Sequence, residues 1–142
     1  MNPKIEIDIT EFEKYQQVLE LAQRELINFE ERFLNTLANL VMEYAIPRTP
    51  VDTGRLRRSY KVSSVTRRGN DLTIVVYNDA REDGAGESYA SYVEFGHFTR
   101  NRVTYVEGVR MITLATDEVL NEMHSVWNML FNQFVKEVGL WL

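Results

Sequence analysis

The stretch FEKYQQVLELAQRELINFEERFLNTLANLVMEY, residues 12–44, decides the fold of this chain. Its apolar side chains recur every three or four residues, the period that brings them onto one face of an α-helix. Neither Gly nor Pro interrupts the pattern before Pro47, whose ring and missing amide make further helix costly. The sequence therefore predicts one long amphipathic helix from about Glu11 to about Ala45.

The residues before this helix show a different period. Ile5, Ile7 and Ile9 alternate with charged side chains, which is the period-two pattern of a short strand with one apolar face. Thr10 and Glu13 then have the spacing of a capping box, in which two side chains satisfy backbone amides at a helix start. We therefore expect a short strand followed directly by the long helix.

Two β-rich runs follow the helix, after a junction at residues 48–58 that is rich in Pro, Thr, Asp and Gly. Residues 60–66 and 72–77 contain many β-branched and aromatic side chains, and they flank the turn-like segment RRGND at residues 67–71. This arrangement predicts a β-hairpin. Residues 79–88 are acidic, contain two glycines and show no apolar period, which indicates a mobile loop.

The last third of the chain is predicted to contain short elements and a second long helix. Residues 89–95 are compact and aromatic, and they fit either a strand or one to two helical turns, ended in both cases by Gly96. Residues 102–106 are a candidate further strand. After Gly108 the apolar side chains return to helical spacing and continue to Gly139, a natural helix stop.

These elements indicate an α+β fold in which two long helices pack against a small, mainly antiparallel β-sheet. A chain of 142 residues, 44% of them hydrophobic, is long enough for one core, so we expect a single domain over residues 1–142. The stripe of the first helix that contains Leu26, Phe29, Phe33 and Leu37 is expected to pack against the sheet. The alternative is a coiled-coil contact with a neighbour, because the early part of the helix keeps a near-heptad spacing.

Composition narrows the functional classes. The net charge of -5 offers no overall positive field, which disfavours general binding to nucleic acids. The absence of cysteine removes disulfides, thiolate metal sites and a cysteine nucleophile. The N-terminus lacks the apolar core of a signal peptide, and no stretch approaches the ~20 apolar residues of a membrane span. We therefore expect a soluble protein, made in a cytoplasm, that has no membrane partner.

Two motifs in fixed order, TPVDTGRLR at residues 49–57 and YASYVEFGH at residues 89–97, resemble a family of small tail components of long-tailed bacteriophages. Its members are described as neck, tail-completion or minor tail proteins. The sequence YVEG at residues 105–108 and the terminal helix extend the resemblance over most of the chain. The motif residues given a structural role are Pro50, Asp52, Thr53, Gly54, Arg55, Arg57, Tyr89, Glu94 and Gly96.

The resemblance implies a structural virion protein at the head-to-tail junction or the upper end of the tail. Such a protein is made in the host cytoplasm and acts in tail completion as one subunit of a ring. Its expected partners are further copies of itself and other neck, connector or tail proteins, with transient proximity to DNA. The loop at residues 79–88 and the basic run at residues 100–102 match no role in the family.

Residues 52–54 also spell Asp-Thr-Gly, the signature of aspartic proteases, in which two such aspartates share one proton. A protease of that type has this Asp at the end of an apolar strand in an all-β fold. Here Pro47 and Pro50 precede the motif and long helices flank it. We therefore interpret Asp52 as a cap or turn residue and expect no enzyme activity.

Glu94 and His97, together with Asp52, have the residue types of a metal site or an acid/base pair. Two histidines in the whole chain give this interpretation little support. The preferred role is structural: Glu94 holds a backbone amide, or it pairs with Arg55 or Arg57 and thereby joins the two motifs. We assign no catalytic residue, no metal site and no cofactor.

Five arginines cluster in sequence around the first predicted strand. If they share one face they could contact phosphate, so the alternative function is a DNA-contacting binding module of the phage neck. The preferred interpretation is that they pair with acidic residues of a neighbouring subunit. The five are Arg55, Arg57, Arg58, Arg67 and Arg68.

The chain ends in three apolar side chains that follow Gly139. Leu140, Trp141 and Leu142 either fold back on the core or dock on another subunit, and Trp is a frequent anchor of interfaces. We predict that they form an interface with another subunit or with the tail.

Overall fold

The computed structural model describes residues 3–51, 54–81 and 88–140. The fold class is α+β, as predicted, with a long N-terminal helix, short antiparallel strands and a long C-terminal helix. The elements in chain order are α1 (Thr10–Arg48), α2 (Arg55–Arg58), β1 (Tyr60–Val62), β2 (Thr66–Arg68), β3 (Asp71–Thr73), β4 (Val76–Asn78), α3 (Tyr89–Phe95), β5 (Gly96–Phe98), β6 (Tyr105–Glu107) and α4 (Met111–Val138). No helix in these three segments is both long and apolar enough to cross a membrane.

The two long helices lie side by side and run antiparallel. At one end the Tyr44 hydroxyl donates to the Glu122 carboxylate at 2.7 Å, and at the other end Arg32 pairs with Glu137 at 3.2 Å. Helix α1 has 39 residues and α4 has 28, so α1 is longer by about 16 Å at roughly 1.5 Å per residue. The first buried residue of α1 is Ala22, and the turns before it extend past the end of α4.

An aromatic cluster joins the middle of α1 to α4. The Phe29 side chain is 0% exposed, and its ring centroid lies 4.9 Å from Trp127 and 5.0 Å from Phe134. The Phe33 ring also contacts Trp127, at 5.2 Å. The expectation that this stripe packs against the sheet is therefore wrong for its central rings, which pack against α4. Each strand has only three residues, whereas α4 presents an apolar face along its whole length.

A second core cluster joins the C-terminal half of α1 to the smaller elements. It contains several alanines, whose small side chains allow the backbones of neighbouring elements to approach closely. Strands β1 and β4, helix α3 and the start of α4 all contribute to it. Its buried members are Val41, Ala45, Leu56, Tyr60, Ala80, Ala90, Met111, Ala115 and Val119.

The predicted β-hairpin is present and contains a bulge. Strand β1 pairs with β4 in the register Val62 opposite Val76, whereas β2 pairs with β3 in the register Thr66 opposite Thr73. Three residues at 63–65 therefore face two residues at 74–75, which shifts the register by one residue. The bulge divides the hairpin into two short ribbons that follow α1.

A third antiparallel ribbon consists of β5 and β6, with Gly96 opposite Glu107. Strand β6 was predicted at residues 102–106 but begins three residues later, at Tyr105. The turn occupies the preceding residues, because the amide of Thr99 donates to the carbonyl of Thr104 at 2.8 Å and Arg102 has a left-handed φ of 56°. Of the two alternatives for residues 89–95, the structure has the helical one.

The N-terminal prediction is wrong in two respects. Ile5, Ile7 and Ile9 are exposed and form no strand, because nothing in the described part of the chain pairs with them. Helix α1 begins at Thr10, but no capping box forms there. The side chain of Asp8 instead binds a backbone amide at the helix start. The Asp8 carboxylate accepts the Thr10 amide at 2.9 Å.

The helix ends agree more closely with the sequence. Helix α1 includes Pro47 in its last turn and stops at Arg48, and Thr49 before Pro50 is extended. Helix α4 ends before Gly139, which has a left-handed φ of 80°. The predicted loop at residues 79–88 falls mostly outside the described residues.

Candidate functional site

Within the described part of the chain, the carboxylate of Glu94 on helix α3 is buried and accepts three hydrogen bonds. Its side chain is 5% exposed and lies at the start of α4. One oxygen accepts the Ile112 amide at 2.9 Å, and the other accepts the Thr113 amide at 2.8 Å and the Thr113 hydroxyl at 2.6 Å. The first amides of a helix lack partners within the helix and form its positive end, so a buried carboxylate is stabilised there.

Backbone contacts lock the same junction. The amides of Val109 and Arg110 donate to the carbonyls of Val93 and Glu94 at 2.7 and 3.1 Å. Gly96 has a φ of 84°, and a side chain there would have its Cβ 2.5 Å from the carbonyl oxygen of Val106. A glycine is therefore required where α3 turns into β5.

The opposing backbone at this crossing is also a glycine. A Cβ at Gly108 would lie 2.6 Å from the carbonyl carbon of Phe95. The Tyr105 hydroxyl donates to the carbonyl oxygen of Phe95 at 2.8 Å, next to this crossing. Together with the Glu94 carboxylate, these contacts fix the direction in which α4 leaves the β5–β6 ribbon.

The first motif is held by a buried polar network at the end of α1. The Thr49 hydroxyl donates to the carbonyl of Ala45 at 2.7 Å and accepts the Tyr60 hydroxyl at 2.7 Å. Burial raises the pKa of Tyr60 above its ordinary value of 10.0, and the negative charge of Glu94 acts in the same direction. The Tyr60 phenol therefore stays protonated as a donor at neutral pH.

Asn78 ties this network to the segment that follows the hairpin. Its side-chain amide donates to the carbonyl of Leu56 at 2.7 Å, and its side-chain oxygen accepts the amide of Ala80 at 3.0 Å. The amide of Tyr89 in turn donates to the carbonyl of Ala80 at 3.1 Å. Hydrogen bonds thus lead from the first motif to the second.

The described residues of the two motifs meet by core packing. Leu56 of the first and Ala90 of the second belong to the same buried cluster. Arg55 donates to the carbonyl of Arg81 at 3.2 Å and Arg57 to the carbonyl of Thr49 at 2.9 Å, while the Glu94 oxygens face α4. Of the two roles expected for Glu94, the geometry shows the one with backbone amides.

The remaining motif residues have simpler positions. Pro50 is exposed and follows the extended Thr49. Gly54 has a φ of 78° at the start of α2. Asp52 and Thr53 lie outside the described residues, so the cap or turn role of Asp52 stays a prediction.

Glu94 and His97 were considered above as part of a metal site or an acid/base pair. Their surroundings do not favour that chemistry. Both oxygens of Glu94 already accept hydrogen bonds, and the buried His97 Nδ1 has no hydrogen-bond partner among the described residues. The His97 ring packs against Tyr92, with a centroid distance of 5.5 Å. Within the described segments, no group of three or more His, Cys, Asp or Glu residues could hold a metal ion. The hydrogen bonds of Glu94 hold the backbone at the start of α4 in place.

Arg55, Arg57 and Arg67 each contact a different part of the chain. Arg67 pairs with Glu30 of α1 at 2.9 Å, so its acidic partner belongs to the same chain.

At the C-terminal end of the chain, Leu140 is partly buried against the aromatic cluster, and its amide donates to the carbonyl of Val135 at 2.9 Å. Trp141 and Leu142 lie outside the described residues, and the interface role of this end stays a prediction.

Sequence reasoning missed the polar network of Thr49, Tyr60 and Asn78. Its signal was present, because Thr49 is a polar residue directly after α1 and Asn78 is the polar last residue of β4. Such residues often satisfy the last backbone groups of an element. Their partners, however, are 11 and 22 residues away in sequence and could not be named without the fold.

Comparison with known proteins gives a family match. The family model described as "Bacteriophage HK97-gp10, putative tail-component" matches residues 13–96, from the first turn of α1 to the end of α3. This segment includes the first sequence motif, Glu94 and all of the second motif except His97. No curated protein and no solved structure matches the chain. Because the match spans more than half of its residues, the chain belongs to the HK97-gp10-like family of bacteriophage tail components.

Proposed function

We propose that the protein is a ring-forming structural subunit at the head-to-tail junction or upper end of a phage tail, where it acts in tail completion. The observation that carries this proposal is the family match, which covers α1, the hairpin and α3. A tail component is part of the virion and works among other tail proteins. The position on the tail and the formation of a ring go beyond the family match and are our proposal.

The distribution of apolar surface supports a role in assembly. Large apolar side chains are exposed at the N-terminal end of α1 and again around β5 and β6, outside both core clusters. Contiguous exposed apolar surface is typical of sites that contact other proteins. The polar groups of the Glu94 junction are used for positioning, which fits a structural, non-enzymatic protein.

The alternative of a DNA-contacting module has weaker support. The net charge is -5, and Arg67 is neutralised by Glu30. A subunit near the DNA path with an acidic surface would let DNA pass without retaining it. We therefore propose proximity to DNA without stable binding.

The test is to produce a phage that lacks the gene and to complement it with a tagged copy. We expect defective joining of heads and tails without the gene, and electron microscopy should show the tagged protein at the upper end of the tail. Native mass spectrometry of the purified protein should show a closed oligomer. Localisation at the distal tip or along the tail tube would contradict the proposed position, and salt-sensitive retention on duplex DNA would favour the alternative.

A further inference from the structure

The N-terminal arm, which we define as residues 4–20, exposes an apolar stripe. Ile5 is 87% exposed and Phe12 is 70% exposed. Within α1, Phe12, Tyr15 and Leu19 follow one another at spacings of three and four residues and lie on one helix face. The same face becomes buried at Ala22, where α4 begins to cover it. The arm is therefore an extension of a core-facing stripe that lacks a covering element within the described chain.

The β5–β6 ribbon, which we define as residues 96–110, is a second uncovered apolar surface. Phe98 is 63% exposed and stacks edge-on against Tyr105, at a centroid distance of 5.2 Å. Val103, in the turn, is also exposed. The ribbon has only two strands, and both outer edges lack a paired strand in the described residues. A two-stranded ribbon is marginally stable in water, so contact with a partner would stabilise it.

The two surfaces carry opposite charge. Residues 4–20 contain five acidic and two basic side chains, whereas residues 96–110 contain three arginines and one glutamate. Two of the acidic residues pair with the arm's own lysines, at Glu6 and Glu11. The side chains of Arg100, Arg102 and Arg110 form no ion pair with any described residue. An acidic apolar helix and a basic aromatic ribbon complement each other.

The two surfaces lie at opposite ends of the molecule. The ribbon directly precedes Met111, the first residue of α4, and the arm projects past Val138, the last residue of that helix. Helix α4 has 28 residues, so about 42 Å separates its ends at roughly 1.5 Å per residue. One chain therefore cannot cover its own ribbon with its own arm. A contact between different surfaces of two copies is head-to-tail and produces a ring when the rotation closes.

We propose that the N-terminal arm of one copy docks on the β5–β6 ribbon of the next copy. The apolar stripe of the arm covers Phe98, Tyr105 and Val103, and the acidic side chains of the arm face Arg100 and Arg102. This interface rests on the proposed ring function and specifies which surfaces form the ring.

The test uses two variants of the full-length chain, each of which damages one surface. Phe12→Asp together with Leu19→Asp alters the arm, and Phe98→Asp alters the ribbon. All three side chains are exposed, so both variants should keep the wild-type melting temperature. Native mass spectrometry should show oligomers for the wild type and monomers for both variants. The matched control is Met129→Asp, a 60% exposed position on α4, which should leave the oligomer intact.

Mixing the two variants gives the decisive measurement. The ribbon variant keeps an intact arm, and the arm variant keeps an intact ribbon. The mixture should therefore form a dimer with one copy of each and nothing larger, and high salt should weaken it. Variants that still form wild-type oligomers would overturn this interface while leaving the ring in place. A wild-type protein that stays monomeric when concentrated would also overturn it, whereas its position on the tail would still be decided by the phage experiment.

Discussion

Single residues in this protein fix backbone directions over long sequence distances. Glu94 is the clearest case, because its carboxylate accepts hydrogen bonds from the amides of Ile112 and Thr113, 18 and 19 residues further along the chain. The side chain is almost fully buried, and it thus replaces the usual local cap of a helix. The start of α4 depends on α3 being in place.

We predict that Glu94→Ala destabilises the protein by about 1–3 kcal/mol, because two backbone amides and one hydroxyl lose their acceptor. Urea denaturation followed by circular dichroism measures the change. Glu94→Gln, which keeps one acceptor oxygen, should lose less. A Glu94→Ala variant as stable as the wild type would show that water replaces the carboxylate at no cost.

Tyr60 gives a prediction on pH dependence. Burial raises its pKa in the folded protein above the ordinary value of 10.0, so the folded state retains the phenol proton when the unfolded state has lost it. The stabilisation that comes from keeping the Tyr60 phenol protonated is fully present below pH 10.0, and it is lost as pH rises through the pKa of the folded state. Unfolding free energy should therefore fall above about pH 10 more steeply in the wild type than in Tyr60→Phe. Equal slopes would contradict the burial effect.

Helices and ribbons contribute unequally to stability. Helix α1 meets α4 through the aromatic cluster and meets the hairpin through small side chains. The three ribbons have three residues per strand and little surface to bury. Most of the stability gained from apolar burial is therefore expected in the α1–α4 pair.

We predict that Phe29→Ala costs about 3–5 kcal/mol, because Phe29 is completely buried among three rings of α4 and its loss leaves a cavity. Phe33→Ala should cost less, because Phe33 is only partly buried. Chemical denaturation gives both values. Met129→Ala, at an exposed position of α4, serves as the control and should change stability by less than about 0.5 kcal/mol.

At the scale of the whole molecule, apolar surface stays uncovered at both ends of the described molecule. The arm and the ribbon are uncovered, whereas the C-terminal end of α4 has Leu140 packed back on the aromatic cluster. The chain end was predicted to serve an interface. Leu140 shows that at least part of its apolar surface is used within the chain.

We predict that truncation after Val138 lowers stability by about 1 kcal/mol through the loss of Leu140, and that it weakens oligomer formation through the loss of Trp141 and Leu142. Leu140→Ala isolates the first effect. Thermal melting and native mass spectrometry of both variants separate the two contributions. If the truncated chain assembles as well as Leu140→Ala, the last two residues have no part in the interface.

Local physical chemistry made most of the elements predictable. The spacing of apolar residues gave both long helices, Pro47 and Gly139 marked their ends to within a few residues, and β-branched runs around a turn gave the hairpin. The same reasoning failed at Ile5, Ile7 and Ile9. An alternating pattern predicts a strand only where another strand is available, and none of the described residues pairs with them.

The sequence by itself therefore determined the type, order and approximate ends of the main elements, because these depend on neighbours a few positions apart. Only the tertiary structure decided that Phe29 faces α4, that Glu94 caps α4, and that the arm and the ribbon remain uncovered at opposite ends. These outcomes depend on which surfaces meet across long stretches of chain. A periodic pattern shows that a face is apolar, but it does not specify what will cover that face.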